Sequence, residues 1–167
     1  MNFRILKESD AQLYQDLRLS ALKINPEAFG ATYESEVKFT LETVVERLKP
    51  NDDKFVLGAF VDRNLLAGIV TFIRESSPKT AHKGNIYGMF VNPETRGQGV
   101  GKSLMLELIK KVKDCHGLEQ INLTVVSNNV RAKNLYKSLG FEVYGVEKNA
   151  LKFNGQYFDE DLMVLKI

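Results

Sequence analysis

A single cysteine, Cys115, in a chain of 167 residues excludes an internal disulfide and any cysteine metal cluster. Its place at the end of an amphipathic stretch, on the side of Leu104 and Leu108, marks it as a small core residue rather than a nucleophile. A dominant charge sign is lacking as well, since 23 basic and 21 acidic residues leave a formal net charge of +2. A dedicated nucleic-acid binder carries a strongly basic face, so no nucleic-acid partner is expected. No run approaches the ~18 apolar residues that span a bilayer. The longest clean one, Leu65 to Ile73, has the length of a strand, and no membrane partner is expected. The N-terminal MNFRILKESD has no cationic segment leading into an apolar one, hence no secretory signal, and a cytoplasmic location is expected. Repeats, low-complexity tracts and linkers are missing too, and His82 and His116 fall in a loop and at a helix end, where neither is given a role. What remains is an ordinary globular composition, 44% hydrophobic and 26% charged, long enough to bury a substantial core in one domain over 1–167.

The pattern that is present predicts a mixed α/β sheet. Phe3 to Lys7 alternates as a first strand, and Ser9 or Asp10 can cap a helix whose apolar positions run from Leu13 to Ile24 before Pro26 stops it. Asn25 to Phe39 is irregular and reads as a loop leading to a second helix, capped by Thr40 and ending at Pro50. Lys54 to Val61 and Leu65 to Arg74 form two strands around a tight turn at Asp62 to Asn64. A polar connection, Glu75 to Lys83, precedes a strand from Ile86 to Val91 that is apolar except at Gly88. From Lys102 the residues Leu104, Met105, Leu108, Ile109 and Val112 recur at helical spacing. Gln120 to Val126 is another strand, followed by Asn128 and Asn129 as candidate caps of a short helix that Gly140 ends. Phe141 to Phe153 and Gln156 to Ile167 flank Asn154-Gly155, the strongest hairpin signal in the chain. The sum is about seven strands and four helices.

Between the strand ending at Val91 and the helix that follows lie Gly97, Gly99 and Gly101, flanked by Arg96 and Lys102. A helix start leaves about four backbone N–H groups unpaired and favours an anion, and glycines let a phosphate approach them. The nucleotide-triphosphate loop is excluded because its required first glycine falls on Arg96. The dinucleotide code fails as well, since the third glycine falls on Lys102 or Leu104. Arg96, Gly99 and Gly101 instead resemble the acetyl-CoA loop of the GCN5-related N-acetyltransferase superfamily, Arg or Gln, two residues, Gly, one residue, Gly or Ala. Asn129, Ala132, Leu135, Tyr136, Gly140 and Phe141 are similar to that family's closing signature without a mismatch. The element order also resembles that of the family, so the likeness covers nearly the whole chain and implies the single-domain fold of that superfamily.

The resemblance implies acetyl-CoA as co-substrate, with no metal. The backbone of Gly97, Gln98, Gly99, Val100, Gly101 and Lys102, beside Arg96, would hold its pyrophosphate. Met89, Phe90 and Val91 would pair with the pantetheine arm as an exposed edge does with an added strand, and Gly88 marks a bulge that opens that edge. A backbone N–H near Met89 or Phe90 would face the carbonyl oxygen that becomes negative. Tyr136 stands where the family's general acid sits, although it also fits the apolar stripe of its helix, and Asn129 would contact the cofactor and cap the helix. In relatives that acetylate ribosomal-protein N-termini, a glutamate on the strand before Asn129 is the general base; Thr124 stands there in this chain, which argues against that activity. Glu34 and Glu36 are other carboxylates that could reach the cleft, each read first as a solvated surface charge. With Glu27, Asp159, Glu160 and Asp161 they form a candidate acidic rim that would favour a small cationic amine as acceptor. The expected activity is therefore direct acetyl transfer from acetyl-CoA to a primary amine. Alternatives are a protein N-terminal or lysine acetyltransferase, or a non-catalytic acyl-CoA binding module. A small-molecule amine is the expected partner, and a homodimer is compatible with this reading.

Overall fold

The computed structural model describes residues 1–62 and 64–167. Its strands are β1 (Asn2–Ile5), β2 (Lys54–Phe60), β3 (Leu66–Arg74), β4 (Lys83–Val91), β5 (Gln120–Val126), β6 (Glu142–Phe153) and β7 (Gln156–Lys166). Its helices are α1 (Ala11–Ile24), α2 (Tyr33–Glu36), α3 (Leu41–Leu48), α4 (Val100–Val112) and α5 (Val130–Ser138). The strands form one mixed sheet in the order β1-β2-β3-β4-β5-β7-β6. All neighbouring pairs are antiparallel except β4 and β5, which α4 connects as a parallel crossover. The two faces of the sheet bury different apolar stripes. Leu104, Leu108 and Val112 of α4 pack with Phe72, Ile121 and Met163 on one face. Tyr14, Leu17 and Ala21 of α1 and Val44 and Leu48 of α3 pack with Val56, Ile69 and Phe90 on the other. Strand alternation sends Ile69 and Val70 to opposite clusters, which is why the β3 sequence reads as continuously apolar.

The parallel β4–β5 register holds only Lys83, Asn85 and the residue between them against Gln120–Asn122. Beyond that point the strands part. On its other side β4 carries a bulge, where Tyr87 opposes Thr71 and Phe90 opposes Ile69, so that Gly88 and Met89 share the single position of Val70. Gly88 has φ +57°, a conformation that side chains disfavour, and the expected bulge is present. The Asn154-Gly155 hairpin also forms as expected, both residues having positive φ as a two-residue primed turn demands.

Several expectations need correction. A fifth helix, α2, occupies one turn of the segment expected to be irregular, with the Thr32 hydroxyl accepting from Ser35 N–H; four residues are too few to show a helical period. The helix α4 starts at Val100, two residues before Lys102, because Gly99 itself caps it in the left-handed conformation. Strand β4 starts at Lys83 although its first residues are polar, since it pairs on both sides there. Asp10 precedes α1 but makes no cap bond; its carboxylate accepts from Lys7 N–H at 2.8 Å and takes both terminal nitrogens of Arg4 at 2.7 and 2.8 Å, fastening β1 to the helix entry. The turn expected at Asp62 to Asn64 includes Arg63, which lies outside the described residues.

Candidate active site

Where β4 and β5 part, a cavity of about 420 Å³ opens between β4, the start of α4 and the start of α5. Met89, Phe90 and Val91 form its β4 wall. Met89 and Val91 pack toward the α4 cluster and Phe90 toward the α1 cluster, so the side chains serve the core while the backbone edge faces the notch. Arg96, Gly97, Gly99, Val100, Gly101 and Lys102 form the far end. Gln98 is exposed at the loop tip and does not line the cavity. The N-cap residue Gly99 provides no side-chain cap, and the first turn closes through Ser103 N–H to the Gly99 carbonyl at 3.0 Å. The amides from Val100 to Lys102 are therefore the orphan donors of this helix start. The glycines serve different needs. Gly99, at φ +78°, has open space around it and is required by conformation, whereas a Cβ on Gly101 would stand 3.1 Å from Met89 Cε and 3.4 Å from Val91 Cγ2. Gly101 is therefore required by the close approach of α4 to β4 and α5, with Leu135 Cδ2 3.6 Å from the same point.

Asn129 and Tyr136 join the same cavity from α5. Asn129 Oδ1 accepts from Ala132 N–H at 3.2 Å, so the cap is real, and the residue also lines the cavity. Tyr136 is only 8% exposed, stacks in tilted fashion with Phe141 at 5.9 Å, and belongs to the α4 cluster as well as to the cavity wall. Burial pushes its phenol up to about 12. Of the residues expected in one site, all but Gln98 converge.

The profile of the Acetyltransferase (GNAT) family matches residues 14–141. This chain belongs to the GNAT acetyltransferase family. The L-amino acid N-acetyltransferase AaaT of Escherichia coli (strain K12) is 31% identical over 114 residues, which cover 68% of this chain and 69% of that one. An acetyltransferase of the GNAT family from Streptococcus pneumoniae superposes with a TM-score of 0.87 at 23% identity over 99% of each chain. The structure of yncA from Salmonella typhimurium, solved with its cofactor acetyl-CoA, superposes with a TM-score of 0.80 at 20% identity, over 99% of this chain and 93% of that chain. The family uses acetyl-CoA, and the residues of this GNAT chain fit such a group: an uncapped helix start with three cations around it.

One of those cations, Arg131, escaped the motif reading because it occupies an unspecified position between Asn129 and Ala132; its basic charge at the start of a helix was the available signal. Arg96 is more committed than expected. Its Nε donates to the Val91 carbonyl at 3.0 Å, its Nη2 to Asn25 Oδ1 at 3.1 Å, and its guanidinium lies over Phe90 at 5.4 Å. Burial, then the nearby charge of Arg131, lowers its pKa from the ordinary arginine value.

Three residues of the expected acidic rim, Glu36, Asp159 and Asp161, are consumed by internal ion pairs. Glu36, expected as a solvated charge, is only 2% exposed and is gripped by Arg18 Nε and Nη2 at 3.0 and 3.1 Å and approached by Arg47 at 3.3 Å. Burial alone would raise its pKa, but the two arginines together hold it below the usual value. Asp159 accepts from Lys148 and from Asn149 N–H, while buried Asp161 accepts from Lys133 at 2.7 Å and from Ser127. Glu27 and Glu34 line a second cavity of about 350 Å³ between the α1–α2 segment and the β6–β7 hairpin, but Lys23 and Lys152 line it too. Phe29 is common to both cavities. Cys115 packs against the α4 cluster, and burial raises its thiol pKa, in keeping with its expected place in the core. Among the described residues no helix is long and apolar enough to cross a membrane.

Proposed function

We propose that this chain, acting as one domain over 1–167, is an N-acetyltransferase that moves acetyl directly from acetyl-CoA to the primary amine of a small molecule. The observation that carries the reading is the convergence, in one cavity, of orphan helix-start amides, an open strand edge and a protonated phenol. Acetyl-CoA would supply the activated acetyl thioester. The amides of Val100 to Lys102, with Lys102 and Arg131, bind and orient the phosphates. The β4 edge at Met89 to Val91 aligns the arm, and one of its amides offers a donor where the carbonyl oxygen gains charge; such a donor is worth ~10²- to 10³-fold in rate. Tyr136 keeps its proton at neutral pH and can give it to the departing sulfur.

The second cavity is the natural entrance for the acceptor, being separated from the first by Phe29. Its two carboxylates and two ammonium groups balance, which supports a zwitterion of the amino-acid kind over a polyamine and accords with the similarity to AaaT. A cationic amine is the second reading, favoured by Glu27 and Glu34 at that mouth. The test is thiol release from acetyl-CoA with a panel of L-amino acids, spermine, spermidine and a Lys-containing peptide. Highest kcat/KM on a free amino acid is expected. Preference for spermine would restore the cationic reading, and preference for the peptide would overturn the small-molecule one. Retained acetyl-CoA binding with no thiol release from any amine would make the chain a binding module.

A further inference from the structure

An acceptor ammonium has a pKa near ~10.4 and must lose a proton before it attacks, so the site needs a proton acceptor on the acceptor side of the sheet. On β5, Leu123 and Val125 are buried in the α4 cluster, which turns Thr124 to the opposite face, the one shared with α1. Thr124 lies two residues past Asn122, the last residue of β5 paired with β4, and is exposed on β5 where the two strands have parted, level with Tyr87 if the register is continued. In the β5–β7 register Thr124 opposes Leu162 and Val126 opposes Glu160, which makes Glu160 the diagonal neighbour of Thr124 on the same face. The Glu160 carboxylate is half-buried, and Thr124 is near enough to lower its pKa.

We propose that Glu160, acting through the Thr124 hydroxyl, accepts the proton that the acceptor ammonium must lose. The proposal rests on the acetyltransferase reading above and gives Glu160 a positioning role, with Thr124 as the group that meets the substrate. The surroundings suit the task. Burial, then the charge of Glu147, its direct partner on β6, raises the Glu160 pKa above the ordinary carboxylate value, and Thr124 offsets part of that rise. The flanking Asp159 and Asp161 alternate to the other face, where Lys148 and Lys133 hold them. The turn at Pro26–Ala28 packs on β5 and carries one ionisable residue, Glu27, while β4 contributes Tyr87 across the notch. In the step itself, the ammonium proton passes to Thr124 Oγ1 as the hydroxyl proton passes to Glu160. The freed nitrogen pair forms the N–C bond, the C–S bond breaks, and sulfur takes the Tyr136 proton. The second nitrogen proton returns to Tyr136 through solvent and Glu160 discharges to solvent, so one proton is released per acetyl group moved.

The experiment is the pH profile of kcat/KM for the best amine of the panel, in wild type, Glu160→Gln, Thr124→Ala, and Thr124→Glu combined with Glu160→Gln. The Glu160→Gln and Thr124→Ala proteins should lose ~10²-fold in kcat/KM at pH 7 and recover progressively as pH approaches the amine pKa, with KM for acetyl-CoA unchanged. The double variant, which puts a carboxylate directly at position 124, should regain activity at pH 7. A Glu160→Gln profile matching wild type, or one lowered equally at every pH, overturns the proposal. A wild type that releases no thiol with any amine overturns the acetyltransferase reading and this inference with it, a result distinct from an active enzyme indifferent to Glu160.

Discussion

Tyr136 meets two demands with one side chain: its ring completes the α4 cluster beside Phe141, and the residue also lines the cavity. With the phenol held at about 12, the group stays protonated through the whole range in which the fold would be assayed. Its ionisation therefore contributes no alkaline limb to the rate below about pH 11. Tyr136→Phe should keep the packing and lower kcat by ~10²-fold, with acetyl-CoA affinity retained and the shape of the pH profile unaltered. An unaltered kcat, once single-turnover kinetics show chemistry to be rate-limiting, would leave Tyr136 as a packing residue alone. At this scale the sequence was legible wherever a motif fixed the position, as for Gly99, Gly101, Asn129 and Tyr136. Glu36 was not legible, because Arg18 and Arg47 lie 18 and 11 positions away and only the packing of α1, α2 and α3 brings them together.

The α4 start shows how an element becomes a site. Its apolar stripe fixes the helix against the sheet, which holds its orphan amides at the point where β4 and β5 part. Periodicity revealed that stripe but placed the start at Lys102, because Val100 and Gly101 carry no signal that separates a loop from a first turn. The one-turn α2 left no period at all, and the polar start of β4 hid a paired strand. Space rather than conformation is the constraint at Gly101. Gly101→Ala should be tolerated by a small shift of the flexible Met89 end, while the branched methyls of Gly101→Val must displace Met89, Val91 and Leu135, which line the cavity. The valine variant should bind acetyl-CoA at least ~10-fold more weakly, about 1.4 kcal/mol, in equilibrium titration of protein whose circular dichroism matches wild type. Normal affinity in that variant would place the cradle elsewhere.

The molecule as a whole is a sheet in two parts, β1 to β4 and β5 to β7, joined in the sheet by one short parallel register and across it by α4. Element order and hairpin chemistry made that topology legible, whereas the depth of the notch was not, since it depends on where two strands cease to pair. A ligand seated between β4 and the α4 and α5 starts contacts β4 of the first part and α5, which links β5 to β6 of the second, and binds only the folded arrangement. Mass action then stabilises the fold by about 2.7 kcal/mol at a ligand concentration one hundred times its Kd. For a chain of this size each kcal/mol moves the midpoint by about 2–4 °C, so acetyl-CoA should raise Tm by roughly 5–10 °C under those conditions. Hydrogen exchange should slow along β5 and β7 as well as at the α4 start, because joining the two parts suppresses their separate opening. ATP with magnesium offers phosphates to the same amides but no arm to lie along Met89 to Val91, and should shift Tm far less at equal concentration. A shift by ATP as large as that by acetyl-CoA would mean that the helix start alone accounts for binding, and the β4 edge would lose its assigned part.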